Sequence, residues 1–185
     1  LTNLAVLDTY QIFSKDPITK LSDMKGLKLG SAGLNLRWLD GFGAAGVAGS
    51  LVTYHNKVGT GVLDGFMLWP EAVVGRKIYE VAPYMLRASI GTVNSKAITV
   101  NAKTWKRLPN EVRGVLKKAA LFYRDQTSKT VFGRSKVMYK KFAKKGGKIT
   151  EMSEKKGIPG KKILSYYMDR MRANNQPILR QWDKE

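Results

Sequence analysis

The sequence predicts an α/β fold, and two observations carry that reading. Strand-like and helix-like stretches alternate along the first hundred residues. The segment after them holds one sustained apolar stripe at helical spacing. No internal repeat or low-complexity block interrupts the pattern.

The elements follow in chain order. Residues 27–32 (LKLGSA) read as a short strand ending in Gly33, after a polar, turn-like stretch from Lys20 to Gly26. Residues 34–42 fit two templates. Leu34, Leu36 and Trp38 alternate as in a strand, whereas Leu34, Trp38, Leu39 and Phe42 share a helix face. Residues 62–69 read as a strand running into a loop and stopped at Pro70. Residues 71–82 predict a helix closed by Pro83, and 84–90 and 96–101 are rich in β-formers. Pro109 and Asn110 mark a helix start. Val112, Val115, Leu116, Ala119, Ala120 and Tyr123 then form one helical stripe. The helical signal runs to about Lys145, weakens over 127–133, and stops at Gly146-Gly147. A brief strand at 148–152 and an amphipathic helix over 161–182 complete the chain.

Composition narrows the function classes. With 185 residues and 43% apolar side chains, a packed core of one domain or slightly more is expected. No run approaches the ~18 consecutive apolar residues of a membrane-spanning helix. The chain opens at Leu1 without a leader pattern, so a removed signal or a fragment is expected. The absence of cysteine excludes disulfides and thiolate metal sites. The single histidine, His55, has neither a triad partner nor metal-ligand spacing. No catalytic, metal or cofactor set is therefore expected.

The net charge is +19 and is unevenly placed. Residues 1–100 carry 10 Lys/Arg against 7 Asp/Glu, and residues 101–185 carry 23 against 7. Such a field attracts nucleic acid or anionic lipid, which makes binding to either the runner-up function. No nucleic-acid module is recognisable, and the basic residues alternate with core positions as a solvated face does, so nucleic acid is the less favoured partner.

Residues 41–46 read GFGAAG, the glycine spacing of a dinucleotide site, with Asp64 18 residues beyond Gly46. That fingerprint needs a buried strand before it and a helix after it. The stretch 37–40 is short and charged instead. The hexad is better read as the exit of a helix over 34–42 into a strand that begins at Val47.

Several pieces together resemble a known family. They are Asp23-Met24-Lys25-Gly26-Leu27-Lys28-Leu29, Gly43-Ala44-Ala45-Gly46-Val47, Tyr54, Thr60-Gly61-Val62-Leu63-Asp64-Gly65 and Lys77-Ile78-Tyr79-Glu80-Val81. Asn101, Trp105, Leu108 and Pro109 follow, and then the run from Lys145 to Ser153. In order and spacing the set resembles the substrate-binding proteins of TRAP (tripartite ATP-independent periplasmic) transporters, over about residues 11–160.

The resemblance implies a periplasmic-binding-protein-like, two-lobed α/β fold with a long bracing helix, here incomplete. Residues 1–108 would be the second lobe and crossing strands, 109–145 the bracing helix, and 146–185 a short strand and a C-terminal helix. Most of the first lobe would lie outside the chain. It implies a periplasmic receptor that closes on a small organic acid, hands it to membrane subunits and performs no chemistry. The family's carboxylate-gripping Arg falls at Gly30, a departure that puts the ligand class in question. Arg37 or Lys28 would substitute, or free backbone N–H groups after Gly30 and Ser31 would serve. After Asp64-Gly65 the family commonly places Asn, whereas Phe66, Met67, Leu68 and Trp69 stand here, a lining suited to an aromatic solute. The expected ligand residues are Gly30, Ser31, Arg37, Tyr54, Phe66, Met67 and Trp69.

Overall fold

The structure, a computed structural model, describes residues 5–6, 9–88, 95–96 and 98–151. In chain order these form β1 (Ala5–Val6), β2 (Gln11–Ser14), β3 (Lys28–Ser31), α1 (Leu36–Gly41), β4 (Ala45–Ala48), α2 (Tyr54–Gly59) and β5 (Gly65–Leu68). Then follow α3 (Pro70–Gly75), β6 (Tyr84–Leu86), β7 (Ser95–Lys96), α4 (Ala102–Arg107), α5 (Asn110–Lys144) and β8 (Lys148–Thr150). The main sheet has six strands in the order β4-β3-β5-β2-β6-β8. Strand β2 alone runs against the others. Strands β1 and β7 pair separately, antiparallel.

The central strands β2 and β5 are buried at every residue, as strands covered on both faces are. Successive side chains go to opposite faces, so neighbours in sequence enter different cores. Ile12, Met67 and Leu86 join Tyr10, Leu29, Leu39 and Phe42 on one face. Phe13, Phe66 and Met85 join Tyr54, Val58, Leu63 and Phe142 on the other. Register matches this sorting: Phe13 stands opposite Phe66 on one side and Met85 on the other.

Asp64 ties the strand starts together. Its carboxylate Oδ2 accepts from Lys28 N at 2.8 Å, its N–H donates to the Lys28 carbonyl at 2.9 Å, and its carbonyl accepts from Lys15 N at 3.0 Å. It is a structural staple at the starts of β3 and β5. Residues 34–42 are helical, as a 3-10 turn at Gly33–Asn35 followed by α1, because Leu39 and Phe42 on the shared face are both buried. The hexad leaves that helix. Gly43 has φ +75° in the turn, and a Cβ at Gly46 would stand 3.2 Å from Leu36 Cδ2, so α1 lies close on β4. Strand β4 starts at Ala45, two residues earlier than the sequence indicates.

Other expectations need correction. The helix expected over 71–82 breaks. α3 ends at Gly75, Lys77 takes a left-handed φ of 55°, and a 3-10 turn at Ile78–Glu80 follows. The β-rich run 96–101 contributes only its first residue to a strand, and 98–100 have no regular structure. The weak helical signal at 127–133 causes no interruption of the 35-residue α5. The stripe at 112–123 is not a core seam. Ala120 is buried, but Val112, Val115 and Tyr123 are 41%, 65% and 37% exposed. Helix α5 packs on α3, β1 and β8 with a different face. The expected helix at 161–182, and Met152 of the last strand, lie outside the described residues.

Two glycines of opposite character test this packing. A Cβ at Gly65 would run into the Phe13 carbonyl oxygen and stand 2.9 Å from Ser14 Cα, both backbone of the neighbouring strand. Gly65→Ala is therefore expected to lower the unfolding free energy in urea by about 3 kcal/mol. Gly133, inside α5, has nothing within 4 Å of an added Cβ. Gly133→Ala is expected to raise stability by about 1 kcal/mol in the same titration.

Candidate functional site

Five of the six strands point the same way, so their C-terminal ends make one edge of the sheet. In open α/β sheets that edge is where ligands bind. Ser31 ends β3, Gly49 follows β4, and Trp69 follows β5. The reversed strand β2 brings its preceding residue, Tyr10, to the same edge, since Gln11 pairs with Leu68. The Tyr10 and Trp69 rings meet edge-on at 5.6 Å.

Tyr54, the first residue of α2, fills the space between β3 and β4. A Cβ at Gly30 would lie 2.5 Å from its Cε1, and one at Gly49 would lie 2.7 Å from Cε1 and 3.4 Å from the hydroxyl. Both positions must therefore lack a side chain for the ring to fit. Gly49 N donates to the Ser31 carbonyl at 3.1 Å, which holds the residue after β4 against the end of β3. Asn35 closes the turn beyond Ser31, its N–H given to the Ala32 carbonyl at 3.3 Å.

Among the described residues, four buried side-chain polar atoms lack a hydrogen-bond partner: Ser31 Oγ, Asn35 Oδ1, Tyr54 Oη and Arg113 Nε. Three of the four belong to this one edge. Each unpaired buried group costs about 1–3 kcal/mol, so such a grouping marks where a partner belongs.

The expected ligand residues thus separate. Gly30, Ser31, Tyr54 and Trp69 come together at the strand ends. Phe66 and Met67 are fully buried in the two cores, and Phe66 stacks on Tyr54 at 5.4 Å and on Phe13 at 5.5 Å. They stand behind the edge because β5 is covered on both faces, so they support the site from within. Arg37 lies on the first turn of α1, and its side chain is outside the described residues. Lys28 begins β3, at the opposite end of the strand from Ser31. His55 faces Glu80 at 3.7 Å on the surface. Sequence reasoning missed Asn35, Gly49 and Tyr10. The signal for Gly49 was its pairing with Tyr54 across five residues; nothing local marks Asn35. Among the described residues no three of His, Cys, Asp and Glu gather closely enough to hold a metal ion.

Burial pushes the Tyr54 phenol up to about 12, with the Tyr10 phenol adding to the shift. A phenol whose folded value is raised holds its proton where the unfolded chain has released it. Its stability is fully present below pH 10 and is lost as pH rises toward about 12. The wild type is expected to lose up to about 1.4 kcal/mol per pH unit more than Tyr54→Phe over that window, read by urea unfolding.

The model of the family "bacterial extracellular solute-binding protein, family 7" matches residues 5–175. A solute-binding protein of Sulfitobacter sp. (strain NAS-14.1) is 30% identical over 114 residues, spanning 60% of this chain and 34% of that relative. Among solved structures, a TRAP periplasmic solute-binding protein from Haemophilus influenzae RdAW with bound L-gulonate aligns with a TM-score of 0.83 at 19% identity. That match covers 97% of this chain and 57% of the other. A TRAP periplasmic solute-binding protein from Actinobacillus succinogenes 130z with bound L-galactonate gives 0.79 at 18% identity, over 94% of this chain and 54% of the other. The chain therefore spans about a third of the Sulfitobacter relative's length and little more than half of the solved chains. The structural likeness shows the α/β fold of the two-lobed TRAP binding proteins, with one six-stranded sheet among the described residues. The fold and a family match across most of its length agree: this chain belongs to the bacterial extracellular solute-binding protein family 7.

Proposed function

We propose that this chain is part of a periplasmic receptor that captures a polyhydroxylated organic acid and delivers it to the membrane subunits of a TRAP-type transporter, without transforming it. The observation that carries the proposal is the buried group Ser31, Asn35 and Tyr54, three polar side chains at the C-terminal edge of the sheet with unpaired atoms. Two of the unpaired atoms are hydroxyls that both donate and accept, and Asn35 Oδ1 only accepts. Solute hydroxyls, which both donate and accept, suit such atoms, whereas a carboxylate faces repulsion from Asn35 Oδ1. The hydroxylated end of the solute therefore belongs here, and its carboxylate belongs with a cation, for which we propose Arg37. Sugar acids of the kind bound by the Haemophilus and Actinobacillus proteins carry both groups. Trp69, packed edge-on against Tyr10, supplies an apolar wall at the same edge, and Gly30 leaves room for the Tyr54 ring.

In this reading residues 1–108 form the second lobe with crossing strands, 109–145 the brace and 146–185 the closing segment. A first lobe outside the chain shuts over the edge by hinge motion, and the membrane subunits read the shut state. Phe66 and Met67 hold Tyr54 and the sheet in place and do not touch the solute.

The test is thermal unfolding of the full-length protein with L-gulonate, L-galactonate, D-glucuronate and succinate. At least one hydroxy acid is expected to stabilise, by about 2.7 kcal/mol at a hundredfold excess over Kd, and succinate less. Ser31→Ala and Asn35→Leu are each expected to weaken that binding by about 10-fold to 100-fold. The reading fails if no hydroxy acid stabilises the intact protein.

A further inference from the structure

The outward face of α5 is chemically unlike the rest of the molecule. Between residues 126 and 150 the chain carries eight lysines and arginines and no acidic residue. Some of these cations are engaged: Arg134 pairs with Glu71 at 3.3 Å, and Lys148 lies 5.5 Å from the Tyr84 ring. Lys129, Lys136, Lys140 and Lys144 are exposed; the Lys129 charge acts on the Asp125 carboxylate, and among the described residues none of the other three makes an ion pair. Their spacings of seven, four and four residues put them on one face, over a length of about 22 Å at 1.5 Å per residue.

Toward the start of α5 the same face mixes apolar side chains with charged ones, Lys118 and Asp125 among them. Val115 and Phe122 precede Lys129 at seven-residue steps and are 65% and 66% exposed. Val137, 47% exposed, borders the lysines. The opposite side of the helix holds Ala120 and Phe142, both buried. The helix thus turns outward Lys136, Lys140 and Lys144 in line with the exposed Val115 and Phe122.

We propose that this row docks the protein on an anionic lipid bilayer. The charge complements phospholipid headgroups, and a straight row suits a flat surface. Val115, Phe122 and Val137 discriminate between anionic partners, because a bilayer interface takes up apolar side chains and a phosphodiester backbone does not. Of the aromatic side chains within the lysine run, Tyr139 is held by Gln11 and Arg87 and Phe142 is buried, so neither is offered to stack on bases. The inference is independent of the solute: it concerns a face of α5 and not the strand-end edge.

The experiment is co-sedimentation of the full chain with large unilamellar vesicles of phosphatidylcholine alone or with phosphatidylglycerol added to about a third of the lipid. Binding is expected only with phosphatidylglycerol and is expected to vanish in high salt. Each lysine near such a surface contributes about fivefold, so Lys136→Glu with Lys140→Glu is expected to weaken binding at least about 25-fold. Lys25→Glu with Lys28→Glu makes the same charge change at the far end of the sheet and is expected to leave most binding intact. Phe122→Ser is expected to lower binding with the lysines unchanged. The proposal is overturned if neither vesicle binds, if both bind alike, if the two double variants lose binding equally, or if Phe122→Ser has no effect. Random duplex DNA is run beside the vesicles. Binding to DNA that the Lys136/Lys140 variant abolishes, without vesicle binding, reassigns the row to nucleic acid and also overturns the proposal.

Discussion

A ladder of aromatic rings holds this molecule together. Tyr54 stacks on Phe66 at 5.4 Å, Phe66 on Phe13 at 5.5 Å, and Phe13 meets Phe142 edge-on at 5.6 Å. The four rings come from α2, β5, β2 and the last turns of α5, so one face of the sheet, the strand-end edge and the long helix share a continuous contact. Glycines keep the ladder's space open. Gly30 and Gly49 flank Tyr54, and Gly147 lies directly against the Phe142 ring. Each glycine sits where a methyl group would collide, so the rings and the glycines specify one another.

The ladder explains why the edge is polar and rigid at once. Tyr54 has no room to change rotamer, because backbone at two positions and a stacked ring confine it. Its hydroxyl is held at a fixed place against Gly49. A recognition group held this way loses little conformational freedom when it engages a partner. The cost is carried in the free protein, as polar atoms buried without hydrogen bonds.

The sequence displayed the sheet better than the site. β3 and β5 were visible because short apolar runs ended in Gly33 and Pro70, and α5 because Pro109, an apolar stripe and Gly146-Gly147 bounded it. The break in residues 71–82 was hidden because Lys77 in a left-handed conformation has no composition signal. The stripe at 112–123 was legible as a helix, but periodicity reveals that a helix has an apolar face and not what covers it. At the edge, Ser31, Tyr54 and Trp69 were accessible through the resemblance to TRAP receptors. Phe66 and Met67 were assigned to the solute because an apolar run reads the same whether it lines a cleft or fills a core. Asn35 was invisible, as its importance lies in a missing hydrogen bond.

The reversed strand β2 governs how the fold is reached. It lies between β5 and β6, whose residues are about fifty and seventy positions away in sequence. β8 joins β6 only after the whole of α5 has intervened. Few of the sheet's pairings are local, so loop-closure entropy must be met before any strand is secured. The helix can form by itself within microseconds, whereas the sheet must wait for distant segments to meet. Assembly is therefore slow at the centre and quick at the periphery. Chains caught between those two steps expose the unpaired edges of β2 and β5, the segments most prone to pair with a neighbouring molecule.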